Sequence, residues 1–404
     1  MNDRRLKGEQ LAKTVQIEKK GLDKWIVPSQ TGSGAYTVNR EGEGFKCSCP
    51  DFQNRGETCK HIYAVEIKVL RWFDNKGNSG TEVTITKRMS YPQMWHEYTT
   101  SQTNEGRLFH ELLKDLVENV SDEPYTFGRP KVPLKTAIYC AIEKVYSMQS
   151  SRRAHSHYKE AEAKGQISKA PNYNMINKRL NDVKITPVLQ ELLHITAMPL
   201  KSIETKFSPD STGFRTTQFS DYCEQKHGTK KQHKWIKCHA ITGNTTNIVV
   251  SAIITDENGA DSPQFIPLVQ DVANMGFDIS EVTADKGYSA IANYNAVQEV
   301  GGQAYIPFKS NATGTVYSGN KARLWRKMFH YFQLNNDEFM EHYHNRSNVE
   351  TTFHAIKAKL GDSLKSKNYV SQANETLCKL IAYNITVLIN SMYELGIKPE
   401  FISS

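Results

Sequence analysis

Between residues 201 and 394 the spacing of apolar residues changes in an order that few folds accommodate. Ile203, Thr205 and Phe207 alternate with Glu204, Lys206, Ser208 and Asp210, a strand pattern that puts Asp210 on the face opposite the apolar side chains. Two more strand-like runs follow at 235–241 and 248–254, joined by Thr242-Gly243-Asn244-Thr245, a hairpin signal. A helix is expected over 263–275, a short strand over 281–284 leading into Asp285, a helix over 290–300 and a strand over 304–308. The run 337–360 lacks Pro and Gly and reads as one long helix. The last helix, 374–394, carries Leu377, Leu380, Ile381, Ile385 and Leu388 as a stripe suited to packing back on a core.

Three antiparallel strands, then alternating helices and strands, then long helices is the order of an RNase H-like fold. The class is α/β: a mixed sheet with flanking helices over 199–395. A chain of 404 residues is too long for one ordinary domain. The segment 93–198 is mainly helical, with Leu108, Leu112, Leu113 and Leu116, and then Ile138, Ile142, Val145 and Tyr146, at helical spacing. Further helices are expected over 150–163 and 173–192. The basic stretch with Arg152 and Arg153, and Lys178-Arg179 on the next helix, can lie on DNA as helix-turn-helix modules do. Gly128-Arg129-Pro130-Lys131 reads as a basic turn before a helix, and the polar stretch 74–92 as a linker.

Upstream of that linker, 20–75 forms a third unit. A leading helix precedes strand-like runs at 25–27, 35–38 and 44–47, and a helical run follows at 62–73. Cys47-x-Cys49, then nine residues, then Cys59-x-His61 supplies four ligands of the kind a closed tetrahedral Zn²⁺ site uses. Seven cysteines is an odd number, with three of them in this cluster, so a secreted disulfide framework is not indicated. The cluster resembles the SWIM zinc finger, a DNA- or protein-binding module, and one structural zinc ion is expected. The net charge of +8 is compatible with a polyphosphate partner without requiring one. No apolar core follows the charged N-terminus and no apolar stretch is long enough to cross a bilayer, so a soluble intracellular protein without a membrane partner is expected.

The functional residues lie near the C-terminus. In Tyr343-His-Asn-Arg346-Ser-Asn-Val-Glu350-Thr-Thr-Phe-His-Ala-Ile-Lys357, the helical steps bring Tyr343, Arg346, Glu350 and Lys357 onto one stripe. Tyr, two residues, Arg, three residues, Glu, six residues, Lys resembles the Y-R-E-K signature of insertion-sequence DDE transposases. Ala284-Asp285-Lys286-Gly287-Tyr288 resembles the block around that family's second aspartate, and Asp210 stands where the first is expected. The resemblance covers about 195–395. It implies that Asp210, Asp285 and Glu350 are catalytic and hold two Mg²⁺ (or Mn²⁺) ions, which suits hard carboxylate oxygens. It further implies that Tyr343, Arg346, Lys357 and Lys286 contact double-stranded DNA at element ends and target. A homodimer on DNA, in the cytoplasm of a prokaryotic cell, is the expected setting. The competing readings are a DNA-binding protein of transposase descent that has lost catalysis, and a nuclease of the same fold that cuts without joining. All three carboxylates are present, which weighs against the first of these. The 65 residues between Asp285 and Glu350 leave little room for the β-rich insertion some relatives carry.

Overall fold

The computed structural model describes residues 3–14, 17–20, 24–29, 35–41, 44–66, 94–122, 127, 131–216, 235–313 and 322–401. The expected linker 74–92, the end of the helical run 62–73, Cys223 and Gly128-Arg129-Pro130 lie outside them. The chain forms two compact units, Met1–Ser90 and Tyr91–Ser404.

In the first unit, helix α1 (Asp3–Thr14) precedes four antiparallel strands paired in sequence order. These are β1 (Glu18–Lys19), β2 (Lys24–Pro28), β3 (Ala35–Glu41) and β4 (Gly44–Cys47). Trp25, Val27 and Val38 alternate into the core with Leu11 of α1 and with Ile62 and Val65 of α3 (60–66). Between β4 and α3 lies the short helix α2 (Pro50–Arg55), opened by Cys49 and closed by Gly56 at φ +69, a left-handed turn that suits glycine.

In the second unit, five helices precede the sheet: α4 (Trp95–Glu118), α5 (Leu134–Tyr146), α6 (Ser151–Ala163), α7 (Tyr173–Leu180) and α8 (Ile185–Ala197). The single helix expected over 173–192 is two. Asp182 takes the backbone N–H of Lys184 on its own carboxylate (3.1 Å), a local bond that competes with the helical ladder. Leu108, Phe109, Leu112, Ile138 and Ile142 share one apolar core with the sheet that follows.

That sheet has strands β5 (Lys206–Arg215), β6 (Trp235–Gly243), β7 (Val249–Asp256), β8 (Glu281–Thr283) and β9 (Gln303–Tyr305), in the order β7-β6-β5-β8-β9. The first three are antiparallel, whereas β8 and β9 run parallel to β5. Helices α9 (Ser262–Asn274) and α10 (Ile291–Glu299) make the crossovers. Between β9 and the last two helices the described residues form α11 (Arg323–Leu334) and α12 (Asn336–Tyr343), both helical. Then come α13 (Ser347–Leu360) and α14 (Tyr369–Glu394). Almost every residue of α14 is buried, and Asn384 explains how it holds the sheet. Its side-chain amide takes the N–H (2.9 Å) and gives to the carbonyl (2.7 Å) of Val249 on edge strand β7.

The alternation from Ile203 onward differs from expectation. β5 begins at Lys206, and Glu204 is fully buried, not outward-facing. Its carboxylate accepts the backbone N–H groups of Thr245 (3.0 Å) and Thr246 (2.5 Å), closing the β6–β7 turn. A methyl group on Gly243 would come within 2.3 Å of the Glu204 carboxyl carbon. Gly243→Ala is therefore expected to destabilise the protein by about 1–3 kcal/mol, read as a lowered melting temperature.

Lys379 of α14 donates to the carbonyls of Leu360 (2.5 Å) and Gly361 (2.8 Å), covering the C-terminus of α13. Burial holds its ammonium down to about 8 from the ordinary 10.5, against the pull of Glu375. Between those two values the unfolded chain binds more protons than the native one, so this group makes stability rise with pH across that window. Comparing denaturant unfolding of wild type and Lys379→Met through the window is expected to show that slope in the former alone.

Candidate active site and metal centre

Two aspartates are brought together by the register of parallel strands. Lys206 pairs with Glu281 and Phe207 with Val282, an offset of 75 in both cases (281 − 206 and 282 − 207). Asp210 and Asp285 differ by the same 75, so extending the register puts them side by side. The Ser208 and Thr283 hydroxyls, also 75 apart, meet at 2.6 Å in the core and fix that alignment. Asp285 follows the end of β8 and opens a 3₁₀ turn, Lys286–Tyr288. Asn293 holds that turn by donating to the Tyr288 carbonyl at 2.8 Å.

Glu350 arrives from α13, which packs on the Asp210 face of β5. Glu350 stands near Asp210, and the Lys357 ammonium sits 5.7 Å from the centre of the Phe214 ring. Seven residues of helix span about 10 Å and four of strand about 13 Å, so α13 runs alongside β5 in matched steps. Asn348 anchors the start of α13 by donating to the Asn244 carbonyl (2.8 Å) at the β6–β7 turn.

The long helix expected over 337–360 is interrupted. Residues His344–Arg346 form a 3₁₀ turn between α12 and α13, with ψ of −20° at Ser347, which closes it. His, Asn, Ser and Asn crowd this stretch, and all are weak helix formers. Arg346 nonetheless reaches both sides: one guanidinium nitrogen lies 3.0 Å from Asp210 and the other 2.7 Å from Glu350. Burial lowers its proton affinity, but Asp210, Tyr343, Glu350 and Asp285 raise it further, and the net direction is up. Burial pushes the Asp210 carboxyl up, opposed by the Ser211 N–H and Arg346 and aided by Glu350 and Asp285. Tyr343 is half-buried beside Arg346, its hydroxyl pushed up mainly by burial.

Three carboxylates thus face one guanidinium, leaving an excess of negative charge and hard oxygen donors. That set fits divalent cations of the Mg²⁺ type. Lys286 is exposed at the mouth of the turn and Arg152 and Arg153 are exposed on the first turn of α6. Lys357 is half-buried. Burial lowers its proton affinity, and Asp362 is the first of the charges opposing that. The residues that position the site, Ser208, Thr283, Asn293 and Asn348, were not singled out from sequence. Asn348 lay within the motif, but an Asn on a helix carries no signal of its partner.

The second cluster is in the first unit. The ligand atoms of Cys47, Cys49, Cys59 and His61 all lie within 4.8 Å of one another, and all four residues are buried. His61 Nδ1 is 3.9 Å from the sulfurs of both Cys47 and Cys59. A tetrahedral ion with arms of about 2.0–2.3 Å has ligand–ligand edges of roughly 3.3–3.8 Å, so a small contraction completes the site. The Cys47 hydrogen bond draws the Cys59 thiol down to about 4, while Cys47 itself is pushed up. Three sulfurs and an imidazole nitrogen this close together are arranged to surround one cation. Backbone N–H groups of Cys49 and Phe52 donate to the Cys47 and Cys49 sulfurs, each at 3.4 Å, steadying negative charge there. Among the described residues no other group of three or more such ligands converges as closely.

Comparison with known proteins gives two family matches. Residues 203–385 match the transposase DDE domain and residues 36–70 match the SWIM zinc finger. The cryo-EM structure of piggyBac transposase synaptic complex with hairpin DNA aligns with 72% of this chain and 74% of that chain. At 11% identity and a TM-score of 0.35 that likeness is too weak to carry an argument. No helix among the described residues is long and apolar enough to cross a membrane. The chain carries a SWIM zinc finger followed by a transposase DDE domain.

Proposed function

We propose that this protein is an insertion-element transposase that cleaves the ends of its element and joins the freed 3′-hydroxyls to target DNA. The observation that supports the reading is Arg346 bridging Asp210 and Glu350 from separate elements, with Asp285 close enough to act on Asp210 and Arg346. Asp210, Asp285 and Glu350 would hold two Mg²⁺ (or Mn²⁺) ions, which would supply nucleophile activation and leaving-oxygen stabilisation for an in-line displacement at phosphorus. Asp210 and Asp285 are the principal ligands, fixed by the strand register, and Glu350 completes the set from α13. Arg346 holds a phosphate by its fork-shaped guanidinium. Tyr343 stacks on a base or bonds a phosphate. Lys286, Arg152 and Arg153 add backbone contacts, and Lys357, packed on Phe214, steadies α13 as much as it meets DNA. Cys47, Cys49, Cys59 and His61 hold one structural Zn²⁺. The protein works as a homodimer bridging two ends.

The test is cleavage and joining by purified protein on duplex DNA carrying its own element ends, with Mg²⁺ or Ca²⁺. Mg²⁺-dependent cutting followed by joining is expected. Cutting without joining would indicate a nuclease of this fold, and binding with no chemistry a protein that has lost catalysis.

A further inference from the structure

A groove of about 470 Å³ opens in the second unit where α5, α6, α7 and the approach to α14 meet. Four lysines line it, Lys144, Lys178, Lys365 and Lys367, and the rest of its wall is Asn and Ser side chains without a carboxylate. None of these lysines takes part in the chemistry described above.

Lys144 is the most informative of them. It is 4% exposed, and no hydrogen bond or ion pair to its ammonium is found among the described residues. Its stem packs in the wall and its ammonium reaches the groove, where the charge is open to an anion. Glu375, the nearest acid behind the wall, spends both oxygens on the backbone N–H groups of Lys365 (2.9 Å) and Ser366 (2.8 Å). It orders the loop that presents Lys365 and Lys367, and its single charge cannot balance four. Two helix N-termini add to the field. Ser151 at the start of α6 and Ser371 in the first turn of α14 both line the groove, and neither helix has a side-chain cap. Their free N–H groups and dipoles favour anions.

We propose that this groove docks the phosphodiester backbone of duplex DNA, away from the carboxylates that cut it. Lysines, Asn and Ser side chains and uncapped helix N-termini are the groups proteins use on phosphates and sugars to set register without reading sequence. Arg152 and Arg153 are exposed on the same turn of α6 as Ser151, which lines the groove. The loop supplying Lys365 and Lys367 follows directly from α13. A strand engaged there is thereby tied to the helix that carries Glu350, whose ten residues from Glu350 to Leu360 span about 15 Å. The proposal rests on the transposase reading for its choice of DNA over a free phosphate.

The test is fluorescence anisotropy of the full chain with a labelled element-end duplex across a salt series. Lys178→Gln combined with Lys367→Gln leaves folding intact by circular dichroism, and Lys144→Met serves as the buried counterpart. Removing one phosphate-neutralising lysine lowers the slope of log affinity against log salt by about 0.9, so the double variant is expected to fall by about 1.8. A tenfold or greater reduction of affinity at physiological salt is expected with it. Unchanged slope and affinity in both variants would overturn the proposal, even if wild type still cuts and joins. Reduced slope with no cutting by wild type would keep the groove and remove the catalytic reading. Calorimetry with inorganic phosphate is the remaining arm. Saturable binding abolished by Lys144→Met, with duplex binding unaffected, would assign the groove to a small phosphate ligand and overturn DNA docking.

Discussion

Asp285→Asn and Glu350→Gln are each expected to lower strand cleavage by about a thousandfold or more, while duplex binding stays within a fewfold of wild type. A factor of a thousand corresponds to about 4 kcal/mol of barrier, which loss of a metal ligand readily accounts for. The substitutions keep shape and remove one negative charge, so the fold is expected to survive. Asp285 interrupts no hydrogen-bond ladder, and the Glu350 side chain is 59% exposed. Asp210→Asn is the informative companion. Burial raises the Asp210 carboxyl, so replacing it with a neutral amide relieves desolvation while giving up the ion pair with Arg346. Its melting temperature is expected to remain near that of wild type even as cutting is abolished. Cleavage surviving in Asp285→Asn or Glu350→Gln would show that the carboxylate cluster is not the reaction centre.

Removing metal from the first unit is expected to have the other large effect. Structural zinc contributes apparent binding energies of about 10–16 kcal/mol in small modules, more than a core of this size supplies unaided. Among the described residues, Leu11, Trp25, Val27, Val38, Ile62 and Val65 are the larger apolar side chains buried there besides the cysteines. With a strong chelator, or with Cys59→Ser, amide hydrogen exchange over 24–66 is expected to lose its protection, while 203–385 keeps its own. Protection unchanged in both segments after verified metal removal would show that the cluster is dispensable for folding.

The sheet was legible in the sequence because its parts differ in period, with β6 and β7 falling within two residues of the expected runs. Asp285 was singled out by a short local block, Asp210 only by its place in a strand pattern, and the parallel register then aligns the two. The 3₁₀ turn at His344–Arg346 was not, since so short a change of pitch hardly alters side-chain spacing. Alternation places Glu204 opposite Phe207, but no such pattern shows that its carboxylate is consumed by a turn 41 residues away. The basic groove was legible only in Lys178 and its neighbours Arg152 and Arg153, not as a groove. Lys144, Lys178 and Lys365 come from separate segments, and only the packing of α5, α7 and the approach to α14 makes them neighbours.

The burial of α14 also governs when this protein can exist at all. Asn390, near its end, accepts a hydrogen bond from Ser101 at 2.6 Å across 289 residues of chain. Emerging from the ribosome N-terminus first, the chain can complete its small cysteine-bound unit while most of the rest is still unmade. The larger unit, by contrast, waits for α14, leaving β7 without its helix until that segment is made. A truncated or stalled chain would therefore display a working finger attached to a sticky, unfinished sheet.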